Sequence, residues 1–201
     1  MIWYAAYGSN LSRERFDVYL RGGTPVGGAH AYPGCRDPSP PAVDRPWECG
    51  FGLRFGGASQ TWGGGVALID GTPGDLPTKL RLYRITLEQF EDVVAQENWL
   101  EPGSIILAGV AFAPHHVIGP DHTYRVVLSL GELDDARVLT VTQDGAVTTA
   151  APTIRYLRHI AQGLREAHGC TDAEIADYLV ARPGVAGVFG RDELASELAS
   201  T

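Results

Sequence analysis

The chain has 201 residues, 44% apolar and 20% charged, with a net charge of −8. That length supports one domain with a sizeable core, and the acidic balance speaks against nucleic acid or an acidic membrane as main partner. Cys35, Cys49 and Cys170 are too few and too scattered for a disulfide framework, and no run of about 18 apolar residues is present to span a bilayer.

In chain order, Ile2, Trp3, Tyr4 and Tyr7 form a short apolar run that reads as a buried strand. It breaks at Gly8-Ser9-Asn10, where Gly8 can take φ > 0 and Ser9 and Asn10 can bond their own backbone. Ser12 is placed as the N-cap of a helix over residues 13–20. Strand, glycine turn and helix start leave backbone N–H groups pointing one way. Such a turn is either a plain connection or a cradle for a carboxylate or carbonyl oxygen.

A strand is expected over residues 26–32. Residues 33–47 hold five prolines, Pro33, Pro38, Pro40, Pro41 and Pro46, and read as a long surface loop. It is either a specificity element or a solvated insertion. Strands follow at 51–55, 66–69 and 80–85. The triple glycine 63–65 marks a bulge or a close approach to a ligand. Thr86-x-x-Gln89 is a capping box that opens a helix to Gln96 or Glu97. Strands are expected at 105–112, 124–130 and 137–141. Pro152 starts a helix over 153–167, ended by Gly169. Thr171-x-x-Glu174 is a second capping box, for a helix to residue 181.

This order predicts an α+β fold, a small, mixed, largely antiparallel β-barrel with surrounding helices. A single domain is expected over 1–185, with 186–201 a tail that is a frayed helix or disordered. The beginning has no basic region or long apolar run, so the expected location is cytoplasmic. Oligomeric state is not legible.

The helix from Thr86 carries the most informative residue. Leu87, Phe90, Val93, Val94 and Glu97 fall within an arc of about 120°. Glu88, Glu91 and Asp92 point elsewhere and read as solvated charges. Glu97 continues the apolar stripe. It either snorkels to solvent, pairs with Arg81 or Arg84, or is a desolvated acid with a raised pKa, usable as a base near neutral pH.

Tyr7-Gly-Ser-Asn-Leu11 after an N-terminal apolar strand resembles the signature of the gamma-glutamylcyclotransferase family. Gln96-Glu97-Asn98 resembles the family's acidic Gln-Glu-Gly-like segment, with Asn in place of Gly. Trp62-Gly-x-x-Val66 resembles the strand before that helix. Pro152-Thr-Ile-Arg-Tyr156-Leu-x-x-Ile-x-x-Gly163 is similar to the family's Pro-Ser-x-x-Tyr-Leu-x-x-Ile-x-x-Gly helix. These blocks lie in the family's order across residues 4 to about 180, and residues 34–50 match least.

The resemblance implies release of 5-oxoproline from a gamma-glutamyl amide, with Glu97 as catalytic acid and base. It implies that Tyr7, Gly8, Ser9, Asn10 and Tyr156 bind the substrate, and that neither metal nor cofactor is needed. The Gly-Ser-Asn-Leu turn points to gamma-glutamyl-amino-acid or gamma-glutamyl-amine substrates rather than glutathione.

Three other readings compete. His115, His116 and His122 match no strong zinc spacing, and adjacent strand histidines face opposite ways. The cysteines read as small buried residues rather than nucleophiles. A non-catalytic relative that binds a gamma-glutamyl or carboxylate ligand, or uses the fold as an interaction module, is the main alternative.

Overall fold

The computed structural model describes residues 1–110, 114–119, 122–144 and 147–199. In chain order its elements are β1 (Ile2–Ala6), a 3-10 turn (Ser9–Leu11), α1 (Arg13–Arg21), β2 (Asp44–Gly56), β3 (Val66–Ile85) and α2 (Leu87–Glu97). There follow β4 (His115–Val117), β5 (Val126–Leu133), β6 (Ala136–Thr142), α3 (Ile154–His168), α4 (Asp172–Val180) and α5 (Arg191–Ala199).

All five residues of β1 are buried because both of its faces are covered. Trp3, Ala5 and, just past the strand, Tyr7 join one apolar cluster with Leu157 and Ile160 of α3, Leu179 of α4 and Leu198 of α5. Ile2, Tyr4 and Ala6 join a second cluster with Phe16 and Leu20 of α1 and Phe90, Val93 and Val94 of α2. Each buried Leu, Ile, Val or Phe among them contributes about 1.5–3 kcal/mol.

β1 pairs antiparallel with β3 and parallel with β6; the remaining pairings are antiparallel. The sheet is therefore mixed and largely antiparallel, in the order β2-β3-β1-β6-β5-β4. It is open, which corrects the expected barrel. Helices on both faces already remove the sheet's apolar surfaces from water, so closure is not needed to bury them.

Several expected elements differ. The strands expected at 66–69 and 80–85 are the two ends of one continuous β3, paired along its length with β2. β1 pairs only with residues 81–85, so the outer part of β3 has a free edge that tolerates Pro73 and Pro77. Residues 26–32 form no strand; a single bridge joins Gly23 to Tyr32. The strand expected over 105–112 is absent from 105–110, and 111–112 lie outside the described residues. The last segment takes the helical form of the two expected, with Leu194 and Leu198 buried. Glycines 64 and 65 pack closely against the chain's own backbone at Ala150 and Ala151. A Cβ on Gly65 would lie 2.2 Å from the Ala150 carbonyl oxygen.

Both capping boxes form, at Thr86/Gln89 and Thr171/Glu174. The polar face of α2 then does something no local pattern announces: it binds the backbone of the proline-rich loop. Gln89 Nε2 donates to the carbonyls of Asp37 (3.1 Å) and Ser39 (2.9 Å). Asp92, fully buried, accepts from the Arg36 amide at 2.9 Å, the Arg36 guanidinium and the Gly103 amide at 2.8 Å. Gln96 accepts from the Gly34 amide (3.1 Å) and donates to the Tyr19 carbonyl (3.0 Å). Glu91 accepts from the Leu107 amide. Asp92 and Glu91 are thus buried anchors, not the solvated charges expected; only Glu88 is exposed. The first part of the loop is docked rather than solvated, and it fixes the position of α2.

Asp92→Ala removes a buried acceptor shared by two partly buried amides and the Arg36 guanidinium. A loss of about 1–3 kcal/mol is expected, read by denaturant unfolding. A loss below about 0.5 kcal/mol would show that the loop does not hold the helix.

Candidate active site

The turn after β1 and the end of α2 meet. Tyr7, Gly8, Ser9, Asn10, Glu97 and Tyr156 all line one cavity of about 190 Å³. Its walls also include Tyr4, Arg15, Tyr19, Tyr32, Trp62 and Trp99.

Gly8 is required by contact rather than by conformation. Its φ is −109°, which any residue can adopt. A Cβ there would lie 2.8 Å from the Tyr156 hydroxyl, inside contact distance. That hydroxyl accepts from the Ala67 amide at 3.1 Å and from the Ser9 amide. Tyr156 is therefore a brace between α3, the start of β3 and the turn. Tyr7 is similarly tied, its hydroxyl donating to the Val141 carbonyl at 2.8 Å. Ser9 and Asn10 open the 3-10 turn, where the first amides have no partner within the turn itself.

Asn10 contributes its side chain as well as its backbone. Nδ2 donates to the Tyr4 hydroxyl at 3.0 Å and makes a long 3.5 Å contact with Glu97 Oε1. Asn10 Oδ1 is buried with no hydrogen-bond partner. A buried acceptor left over in this way stands out against the rule that such groups are satisfied.

Glu97 is partly buried, with its carboxyl on the cavity. Neither arginine considered from the sequence reaches it. Arg81 pairs with Asp44 and Glu166, and Arg84 lies over the Trp3 ring. The cation facing it is Arg15 of α1. Burial raises the Glu97 pKa; the Arg15 charge and hydrogen bonds from Tyr19 and Asn10 oppose that shift without cancelling it. The result is a carboxylate whose proton affinity is moved toward neutrality.

Arg15 is 1% exposed, with Nε and Nη1 unpartnered. The Tyr19 and Tyr32 rings hold its guanidinium, with centroids 4.3 and 4.6 Å from Cζ. Sequence reasoning missed Arg15, Tyr19, Tyr32 and Trp99. A signal existed for the first two. Arg15 stands four residues before Tyr19, beside the stripe formed by Phe16, Tyr19 and Leu20, an arginine placed where α1 is buried.

The rival centres are not assembled. Among the described residues no three His, Cys, Asp or Glu side chains converge on a metal position. His115 and His116 are successive residues of the short strand β4. Burial pushes the Cys35 thiol up to about 12, far from a thiolate at neutral pH.

A gamma-glutamyl cyclotransferase of known structure superimposes with a TM-score of 0.53, over 100% of this chain and 99% of that one, at 20% identity. The fold is that of a gamma-glutamyl cyclotransferase. An uncharacterized protein from Homo sapiens matches with a TM-score of 0.45 at 22% identity, over 82% of this chain and 79% of its own. In sequence, the chain is 33% identical over 199 residues to part of histone deacetylase 5 from Arabidopsis thaliana. The match takes in 89% of this chain and 30% of that protein, so the chain spans less than a third of its relative. No protein-family model matches. Among the described residues, no helix is long and apolar enough to cross a membrane.

Proposed function

We propose that the protein is an enzyme that releases 5-oxoproline from a gamma-glutamyl amide, by a cyclisation in which the substrate supplies its own nucleophile. The observation that carries this reading is the shared cavity: a carboxyl with a raised pKa and the amide-lined turn, 87 residues apart in sequence at Asn10 and Glu97, within 3.5 Å.

Glu97 takes a proton from the glutamyl α-ammonium group, and Asn10 Oδ1 accepts a hydrogen bond from the same group. The freed amine nitrogen attacks the γ-carbonyl carbon. Amides of Gly8 and Asn10 hold the oxyanion or the α-carboxylate, since the Ser9 amide is engaged by Tyr156. The C–N bond to the leaving amine then breaks as Glu97 returns its proton to that nitrogen. The freed carboxylate takes the second proton from the ring nitrogen and passes it to the released amine, so two protons leave the α-nitrogen and two reach the leaving nitrogen. The products are 5-oxoproline and a protonated amine. The protein's contribution is to fold the substrate into a near-attack shape and to move two protons in turn. Nothing in this sequence of steps requires a metal or cofactor.

The partner is accordingly a small gamma-glutamyl compound. The fold of the neighbour and the geometry of Glu97 support this reading over that of a ligand-binding module. Deacetylation is not proposed, because the relative of that name matches over only 30% of its length.

The test is incubation with a panel of gamma-glutamyl amino acids and gamma-glutamyl amines, scored for 5-oxoproline. Release from at least one, dependent on enzyme concentration, is expected. A rise in melting temperature with these compounds but no product would identify a binding protein instead.

A further inference from the structure

The wall of the cavity beyond Glu97 has no role in the cyclisation as described. Trp99 follows Glu97 by two residues, at φ +60°. For a tryptophan that backbone conformation is strained, and strain of this kind collects at functional positions. The conformation is held by hydrogen bonds closing the end of α2, from the Trp99 amide to the Gln96 carbonyl at 3.2 Å and from the Leu100 amide to the Ala95 carbonyl at 3.0 Å. Its consequence is that the indole is 52% exposed while lining the cavity.

The indole does not stand alone. It lies nearly parallel to the Tyr32 ring, with centroids 6.0 Å apart and planes at 21°. His30 meets it edge-on at 5.3 Å. Tyr32 leads inward to Tyr19 at 4.7 Å, and Tyr19 hydrogen-bonds Glu97. A row of rings thus runs from the outer surface to the acid. The only charged side chains among the described lining residues are Arg15 and Glu97, both at the inner end. The outer part is neutral, with Trp99 and Tyr32 forming an aromatic wall and the exposed Gln60 and Thr123 also lining the cavity.

The geometry points to Trp99 and Tyr32 as the subsite for the leaving group, receiving an amine that carries a planar or bulky apolar substituent. The inference rests on the cyclisation reading and deepens it. A glutamyl group held between the turn and Glu97 directs its amide substituent toward these rings. Burying such a group against an indole face is favourable, whereas a leaving group with its own carboxylate finds no cation at the outer wall. Trp99 acts here as a specificity-determining residue rather than a catalytic one.

The matched probes are gamma-glutamyl-benzylamide and gamma-glutamyl-methylamide, tested on the wild type, Trp99→Asn and Trp99→Phe. Asn suits φ near +60°, so the first variant keeps the fold while removing the shelf. The wild type is expected to favour the benzylamide by about tenfold or more in kcat/KM, mainly through KM. Trp99→Asn should bring that ratio to within about threefold of unity, and Trp99→Phe should restore most of it. A wild-type ratio near one, or an equal loss on both substrates in Trp99→Asn, overturns the subsite. If neither compound yields 5-oxoproline, the chemistry fails separately. The subsite is then judged by calorimetric dissociation constants on Glu97→Gln with and without Trp99→Asn. The same preference and its loss uphold it, and equal or undetectable binding of both probes overturns it.

Discussion

Glu97→Gln is expected to slow 5-oxoproline release by about 10²–10⁴-fold, the usual contribution of a positioned proton-transfer group. It should also make the protein more stable at neutral pH. Burial raises the Glu97 pKa, so the folded protein binds this proton more tightly than the unfolded chain does. Below the unfolded value both states are protonated, and the carboxyl imposes no penalty through ionisation. As pH rises through the raised folded value, the ionised form weakens the fold, and the deficit stays constant above it. Glutamine keeps the shape and carries no such penalty. The variant's melting temperature should therefore exceed the wild type's near pH 7, with the gap narrowing toward about pH 4. The wild-type rate should fall on acidification with a limb above the ordinary carboxylate range. Full activity in Glu97→Gln removes the proposed base. A variant no more stable than wild type at pH 7 contradicts the desolvated carboxylate.

Gly163→Ala is expected to damage both fold and site. Gly163 sits in α3 where the helix crosses the 3-10 turn. An added Cβ would lie 2.2 Å from the Leu11 carbonyl carbon and 2.5 Å from its oxygen. Alanine normally gains about 1 kcal/mol over glycine inside a helix. Here the obstacle is backbone, which cannot rotate away as a long side chain would. Overpacking of this kind costs about 1–3 kcal/mol, and the rigid neighbour places this case at the upper end. The melting temperature should drop by roughly 4–10 °C for a chain of this size. Activity of the remaining folded protein should fall by about 10²-fold, since a displacement near 1 Å of the turn misplaces the substrate. A stable variant with unchanged turnover would show that α3 and the turn separate without consequence.

The two positions illustrate what is readable. Glu97 was visible as an acid on the stripe of Leu87, Phe90, Val93 and Val94, because helical periodicity is a local property. Gly163 appeared only through resemblance, since nothing near it in the chain reveals that Leu11 will press against it. The same local grammar misled at Glu91 and Asp92. Their charge and spacing read as a solvent face, but the proline-rich loop and the segment after α2 cover that face and supply amide donors. Gly8 was noticed for its freedom in φ, whereas the structure requires it for the closeness of Tyr156.

By itself the sequence determined the buried first strand, the turn that ends it, the capped helices and an acid at the close of α2. Each of these depends on residues within a turn or two of one another. Only the tertiary structure decided that the sheet stays open, that Arg15 rather than Arg81 or Arg84 faces Glu97, and that Trp99 lies on Tyr32 at the edge of the cavity. Those outcomes follow from packing between segments far apart in the chain, where apolar burial and pairing of buried polar groups choose partners that leave no periodic trace.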